Sequence, residues 1–467
     1  MTRTEPGGTP QSAQSPRESR LGLTQAVALI MGSIIGVGIF SLPASLASYG
    51  PISLFAMALT TVGALALALM FGGLSRRLPA AGGPYAYSRV AFGNGVGFAN
   101  AWSYWITAWA GNAAIVAGWV FYVEEFVNTD HVVGWSILIA MVGLWIPAFI
   151  NLVGVGGMAA FQVWTTVVKF AALAVMSTLG LFFITTANFT PWNVSGESNL
   201  AAIGGAMAIA LFSYLGVETA AVAAAKVRDP ERNVPRATVF GTLATAAVYL
   251  LSLTAVFGMI PTGELAESNA PYSDAANVVA GGGTWAGTLM TLAVIVSGIG
   301  ALNGWTLICA EMPLAAAKDG LFPKRFGRLS RRGVPVFGIV GSTALASVAI
   351  VVNYLGVSGP TVFTTLVLMT GITAAIPYAF SALAQLKWRW VDHQQLDTPR
   401  FVRDTVVAVV AFVFSVLFIW YSRNVDDSWF VVWGPFLLAG AAMVIGIPVY
   451  AVQRSRMSEP AVVPPYR

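Results

Sequence analysis

The sequence predicts an all-α integral membrane protein of twelve transmembrane helices. Three observations carry that expectation: a composition too apolar for a soluble chain, spanning-length apolar runs that recur from end to end, and breaks inside the first and sixth of them. Of 467 residues, 57% are hydrophobic and 10% charged, with a mean hydropathy of +0.73. An ordinary soluble domain carries about 25% charged residues. A membrane-spanning helix needs about 20 apolar residues. Such runs lie near 22–47, 52–75, 94–123, 133–153, 160–186, 200–224, 238–262, 284–316, 336–356, 361–386, 404–422 and 428–452. An even number of spans leaves both termini on one side.

Residues 1–20, MTRTEPGGTPQSAQSPRESR, are polar and rich in Pro, Gly and Ser. With no apolar core of a signal peptide, they are expected to form a disordered cytoplasmic tail. Span 1 then reads IIGVGIFSLP over 34–43, where Gly36 and Gly38 interrupt a lipid-compatible run. Glycine inside a helix costs about 1 kcal/mol relative to alanine, and freed backbone groups survive in hydrocarbon only where something other than lipid satisfies them. Close helix packing through small residues would also explain two glycines.

In span 3, Tyr104, Ala108, Asn112 and Ile115 recur every three to four residues and share one helix face, suited to a cavity wall or to helix packing through Asn. Span 5 carries Lys169 about nine residues in, roughly 14 Å at 1.5 Å per residue. A lysine at that depth costs about 3 kcal/mol or more without partners. Carbonyls at the span 1 break are the expected partners, and snorkelling to the surface is the alternative.

Span 6 contains SYLGVE, with Ser213, Gly216 and the ionisable Glu218 where lipid-facing residues would stand. Intramembrane acids default to functional roles, and a structural acid paired to tyrosines is the competing reading. Breaks at matching positions of two halves point to a transporter of inverted repeats, with half-helix ends facing the substrate. Spans 1–5 and 6–10 then form two five-helix units over 21–186 and 187–388. Spans 11 and 12 (389–452) are peripheral, and 453–467 is a second cytoplasmic tail. Glu311, near the end of span 8, is expected to reach the interface or pair with a loop base.

The pI of 9.3 is topological in origin. Of the 25 Lys and Arg residues, 23 fall in the tails or in the loops after spans 2, 6, 8 and 10. The opposite loops carry Glu124, Glu125, Asp130, Glu197, Glu264, Glu267 and Asp274, with Arg423 as their only base. This positive-inside pattern predicts cytoplasmic termini in a cell membrane. The lone Cys309 excludes an internal disulfide. His131 and His393 lie in loops, and no cluster suggests a metal, a cofactor or nucleic acid as a partner. Trp102, Trp135, Trp388, Trp390, Trp429 and Trp433 sit near span ends, as an aromatic belt would.

The stretches MGSIIGVGIFSLPASLASYG, PAAGGPYAYSRVAFG, YWITAWAGNAAIV, LFSYLGVETAAVAAAKVRDPERNVPRA and GWTLICAEMPLAAAKDGLFPKRF resemble the amino acid–polyamine–organocation superfamily. Within it, the chain resembles the basic amino acid and polyamine antiporters, typified by the arginine/agmatine antiporter, from Leu21 through span 12. The resemblance implies a LeuT-type 5+5 inverted repeat with discontinuous helices 1 and 6. It also implies that backbone N–H groups of Gly36, Val37 and Gly38 hold a substrate carboxylate, that Trp305 covers the substrate from outside, and that Asn112 contacts its cationic end. Tyr104, Glu218 and Tyr378 would close the cytoplasmic exit. Ser33, Ala108, Ser213, Leu215 and Thr370 complete the implied substrate wall.

Two departures qualify this. Where the arginine antiporter stacks a tryptophan on guanidinium, this chain has Phe212, a weaker cation–π partner. Lys169 has no counterpart in that branch and resembles the lysine of proton-coupled permeases, whose ammonium stands in for a sodium ion; with Glu218 it is the candidate coupling group. The expected function is therefore sodium-independent carriage of cationic amino acids or their amines, by alternating access. A proton-coupled permease for neutral or broad-range amino acids is the alternative. The partners expected are the small-molecule substrate and the lipid bilayer, with a homodimer as an admissible assembly. A channel would show a continuous polar pore, and an enzyme a nucleophile with its base or a metal cluster at membrane depth. Neither pattern is present.

Overall fold

The computed structural model describes residues 20–355, 359–392, 398–423 and 429–456. Most of the two expected tails, and His393, lie outside the described residues. Among the described residues the fold is helical throughout, with one isolated backbone bridge, Leu21 to Val227, and no strand. Eleven helices are long and apolar enough to cross a membrane.

The first apolar run forms two helices, α1 (Leu23–Ile34) and α2 (Val37–Ala47). There follow α3 (Ile52–Arg77), the short α4 (Pro84–Phe92), α5 (Asn94–Val127), α6 (Val133–Val153) and α7 (Val155–Thr178). The sixth run forms α8 (Asn199–Ala210), a tight turn over Leu211–Tyr214 and the single-turn α9 (Thr219–Val222). Beyond it are α10 (Pro230–Met259), α11 (Thr262–Glu267), α12 (Pro271–Val279), α13 (Trp285–Lys318) and α14 (Val336–Tyr354). The chain ends with α15 (Gly359–Val391), α16 (Thr398–Tyr421) and α17 (Trp429–Arg456). Among the described residues, eleven spans, with α1 and α2 taken together as one, stand against twelve expected, because the sixth run is broken into pieces too short to be counted.

Proline at the first helical position starts α4, α10 and α12, where its missing N–H would have had no intrahelical partner anyway. The halves share a pattern. The nine-residue α4 precedes the 34-residue α5, and the nine-residue α12 precedes the 34-residue α13. The broken helices lie antiparallel, since α1 packs on α9 while α2 packs on α8. Around them stand α5, α13 and α15, which with the first span are the most buried; α16 and α17 are the least. Phe55, Phe149, Leu289 and Ile445 lie exposed on the outside, as a lipid-facing surface requires.

Two tryptophans placed in a belt by position are instead packed inside. Trp102 is 7% exposed and donates its indole N–H to the Ala442 carbonyl of α17 at 2.8 Å. Trp388 is 8% exposed beneath the Arg77 guanidinium, 5.0 Å from its ring centroid. A helix end covered by a neighbouring helix offers no lipid interface. Trp135, Trp390, Trp429 and Trp433 are exposed.

Candidate functional site

The break in the first span leaves the last carbonyls of α1 without helical partners, and three distant side chains take them. Lys169 Nζ, on α7, donates to the Gly32 carbonyl at 2.6 Å. Trp305 Nε1, on α13, donates to Ser33 at 3.1 Å, and the Tyr249 hydroxyl, on α10, donates to Ile34 at 2.8 Å. Lys169 is 0% exposed, so its ammonium stays inside the bundle rather than snorkelling. On the far side of the break, Gly36 is extended (φ −105°, ψ −163°) and α2 begins at Val37. The first N–H groups of a helix have no intrahelical acceptors and carry its positive dipole end.

The second break faces the first. Leu215 is extended and Gly216 has φ +111°, a region closed to most L-residues. A Cβ on Gly216 would lie 3.0 Å from both the carbonyl carbon and the Cβ of Ser33. Glycine is therefore needed twice, for the dihedral and for the approach of one break to the other.

A small cavity of about 10 Å³ remains between the breaks, lined by Ser33, Gly36 and Gly38 of the first span and Phe212, Ser213 and Leu215 of the second. Trp305 and Thr370 complete it, with Gly111 and Ile115 of α5 and Ile34. That volume is about one water, so an amino acid enters only when side chains move. Ser33 Oγ is buried without a hydrogen-bond partner. The Ser213 and Thr370 hydroxyls are used locally, on the Ala210 and Leu366 carbonyls at 2.6 and 2.7 Å.

Three of the residues expected to bind the substrate are not in that lining. Val37 and Ala108 are fully buried. Asn112 lies one residue past Gly111 and turns its amide Nδ2 to Cys309 Sγ at 3.5 Å, leaving Oδ1 unpartnered. The lining residues that sequence reasoning missed are Ile34 and Gly111, neither of which carries a polar signal.

Just beyond the second break, Glu218 is 0% exposed and accepts hydrogen bonds from the Tyr104 hydroxyl at 2.5 Å and the Tyr378 hydroxyl at 2.7 Å. These three bring α5, α15 and the second break together. Further polar contacts lie among the Lys- and Arg-rich segments. Lys226 pairs with Glu311 at 2.6 Å, and Tyr85 and Arg89 of α4 both reach Asp319 at 2.6 Å. Burial, and then the Asp319 carboxylate, push the Tyr85 phenol well above its ordinary range, so it remains a donor.

Comparison with known proteins gives one consistent result. The amino acid permease family matches residues 21–447. A provisionally assigned arginine/ornithine antiporter of Bacillus subtilis (strain 168) is 30% identical, over 92% of this chain and 96% of that protein. An arginine/ornithine antiporter of Pseudomonas aeruginosa is 30% identical, over 87% and 86%. A cadaverine/lysine antiporter of Escherichia coli (strain K12) is 28% identical, over 80% and 84%.

Proposed function

The chain belongs to the amino acid permease family, and on that premise we propose that it exchanges cationic amino acids or their amines across a cell membrane by alternating access. It is a multi-pass membrane transporter and not an enzyme. The observation that carries the finer reading is the meeting of the two breaks, Gly216 against Ser33, around one buried cavity. The start of α2 supplies N–H groups and positive potential for a carboxylate. Phe212 and Trp305 supply aromatic faces for a cationic side chain. The relatives named above, carriers of arginine, ornithine, lysine and cadaverine, support that substrate class.

Twelve spans in a LeuT-type 5+5 inverted repeat fit the antiparallel broken helices and the matched short-helix–long-helix pairs in the two halves. The units run over 21–186 and 187–388, with 389–452 peripheral. The positive-inside pattern supports cytoplasmic basic loops and termini. Glu218 with its two tyrosines then closes the cytoplasmic exit.

A second reading, a proton-coupled permease for neutral or broad-range amino acids, is favoured by one contact, Lys169 on the Gly32 carbonyl. A tethered ammonium between α7 and α1 makes sodium unnecessary under either reading. Competition binding to the purified protein separates them. Arginine, ornithine, lysine and cadaverine are expected to displace a labelled basic substrate at least tenfold better than leucine or alanine. Leucine competing best would transfer the assignment to the neutral permease.

A further inference from the structure

The segment joining α13 to α14, residues 319–335, lies between two helices long and apolar enough to cross a membrane. That connection puts it at the boundary of the bilayer. Lys324, Arg325, Arg328, Arg331 and Arg332 fall within nine of its residues, and all five are exposed. No Asp or Glu occurs from 320 to 391. Among the described residues, none of the five bases has an acidic partner. Other basic segments are balanced. Arg77 pairs with Asp392, Lys226 with Glu311 and Arg389 with Asp404, while Asp229 and Glu231 stand among Arg228, Arg232 and Arg236. A positive-inside bias accounts for bases in such a loop, but not for gathering them without acids on a folded support.

The support is well defined. Leu321, Phe322, Phe326 and Val334 are buried. The Phe326 ring meets Trp105 of α5 edge to face at 5.3 Å and Phe337 of α14 at 4.8 Å. The Ser330 amide donates to the Val334 carbonyl at 2.9 Å, and the Ser330 hydroxyl accepts from the Val334 amide at 3.2 Å. These bonds close a turn around Arg331 and Arg332. The bases therefore project from an ordered backbone, which lowers the ordering cost of binding. Leu329, between Arg328 and Arg331, is 46% exposed.

We infer that residues 324–332 form a binding site for the headgroups of anionic phospholipids, with Leu329 entering the apolar edge of the leaflet. The planar arginine fork matches phosphate oxygens, and an anionic headgroup brings no ammonium to repel the neighbouring bases. A lipid fits better than a free anion, because a soluble phosphate would leave Leu329 in water. The outer segments of the chain offer no acidic substitute: residues 1–20 carry three Arg and two Glu, and 457–467 one of each. Through Phe326 the bound lipid steadies Trp105, the neighbour in sequence of Tyr104. The site goes beyond the transport reading and does not depend on which substrate is carried.

The test uses the purified full chain in neutral detergent, titrated separately with phosphatidylglycerol, phosphatidylcholine and inorganic phosphate. Thermal melts and the lipid retained per chain, counted by mass spectrometry, are the readouts. Phosphatidylglycerol is expected to stay bound and to raise the melt by about 4 °C or more, as a ligand of the folded state must. Phosphatidylcholine and inorganic phosphate should leave it nearly unchanged, and high salt should reduce the gain. Replacing Arg325, Arg328 and Arg331 together by Gln should abolish most of the gain without lowering the melt in detergent alone. The matched control, Arg228, Arg232 and Arg236 to Gln, should keep it. An equal gain from inorganic phosphate, meaning an adventitious ion only, would overturn the site. So would an equal gain from phosphatidylcholine, or equal losses in the two triple variants. None of these readouts involves transport, so either proposal can fail while the other stands.

Discussion

Lys169 Nζ sits 2.6 Å from the carbonyl oxygen of Gly32, joining α7 to the last turn of α1 from a position with no solvent exposure. An ammonium held there bridges α7 and α1, two elements that would move apart under the alternating access proposed above. Loss of its proton would weaken that bridge and bias the carrier between its two states, because a switch needs a differential interaction with each. Transport is expected to run without sodium. Lys169→Ala and Lys169→Gln are expected to slow it at least tenfold and to flatten its dependence on pH. The check is initial-rate uptake from pH 5 to 8 in sodium-free liposomes. A Lys169→Gln variant with the wild-type rate and profile would move the coupling role to Glu218.

Trp305 has two separable features, an aromatic face on the central cavity and an N–H on the Ser33 carbonyl. Trp305→Ala should cost stability, about 3–5 kcal/mol for a large buried aromatic, and weaken substrate binding at least tenfold. Trp305→Phe keeps a ring but frees the carbonyl, and should bind substrate within about threefold while melting lower. Binding isotherms beside thermal melts distinguish the two, and wild-type affinity in Trp305→Ala removes the residue from the site.

The glycines of the two breaks should respond differently to alanine. At Gly216 a Cβ meets the Ser33 backbone at 3.0 Å and φ is +111°, so Gly216→Ala should lose about 1–3 kcal/mol and most transport. At Gly36, φ is −105° and the nearest atom to an added Cβ is the Ala301 methyl carbon at 3.3 Å, so the melt should fall less than at Gly216. Gly38→Ala presses on the Phe212 ring at 3.0 Å and should alter affinity more than stability. Equal melting losses at Gly36 and Gly216 would contradict this account of the breaks.

Phe212→Trp enlarges the aromatic face and is expected to raise arginine affinity severalfold, because cation–π attraction is strongest with Trp. Titration of arginine against leucine provides the check; a gain for leucine instead would argue for simple apolar contact.

The sequence made the first break legible through Gly36 and Gly38, the second through Gly216 and Glu218, and Lys169 through its depth alone. What it could not display were partners distant along the chain. Trp305 is 272 residues from Ser33 and Tyr249 is 215 from Ile34, and nothing local marks either as a donor to a broken helix. The face of α5 was legible only to within one residue. Stepping by four residues advances about 40° around a helix of 3.6 residues per turn, so the series Tyr104, Ala108, Asn112 drifts from Glu218 toward Cys309 while Gly111 and Ile115 line the cavity.

The central claim is exchange of basic substrates, and counterflow tests it most directly. Proteoliposomes preloaded in turn with ornithine, lysine, cadaverine, leucine or buffer alone would be given labelled arginine in sodium-free medium. The expected result is fast arginine accumulation with the three basic loads and at least tenfold less with leucine or buffer. Accumulation driven as well by leucine, or equal uptake into buffer-loaded vesicles, would contradict an exchanger of cationic amino acids and amines.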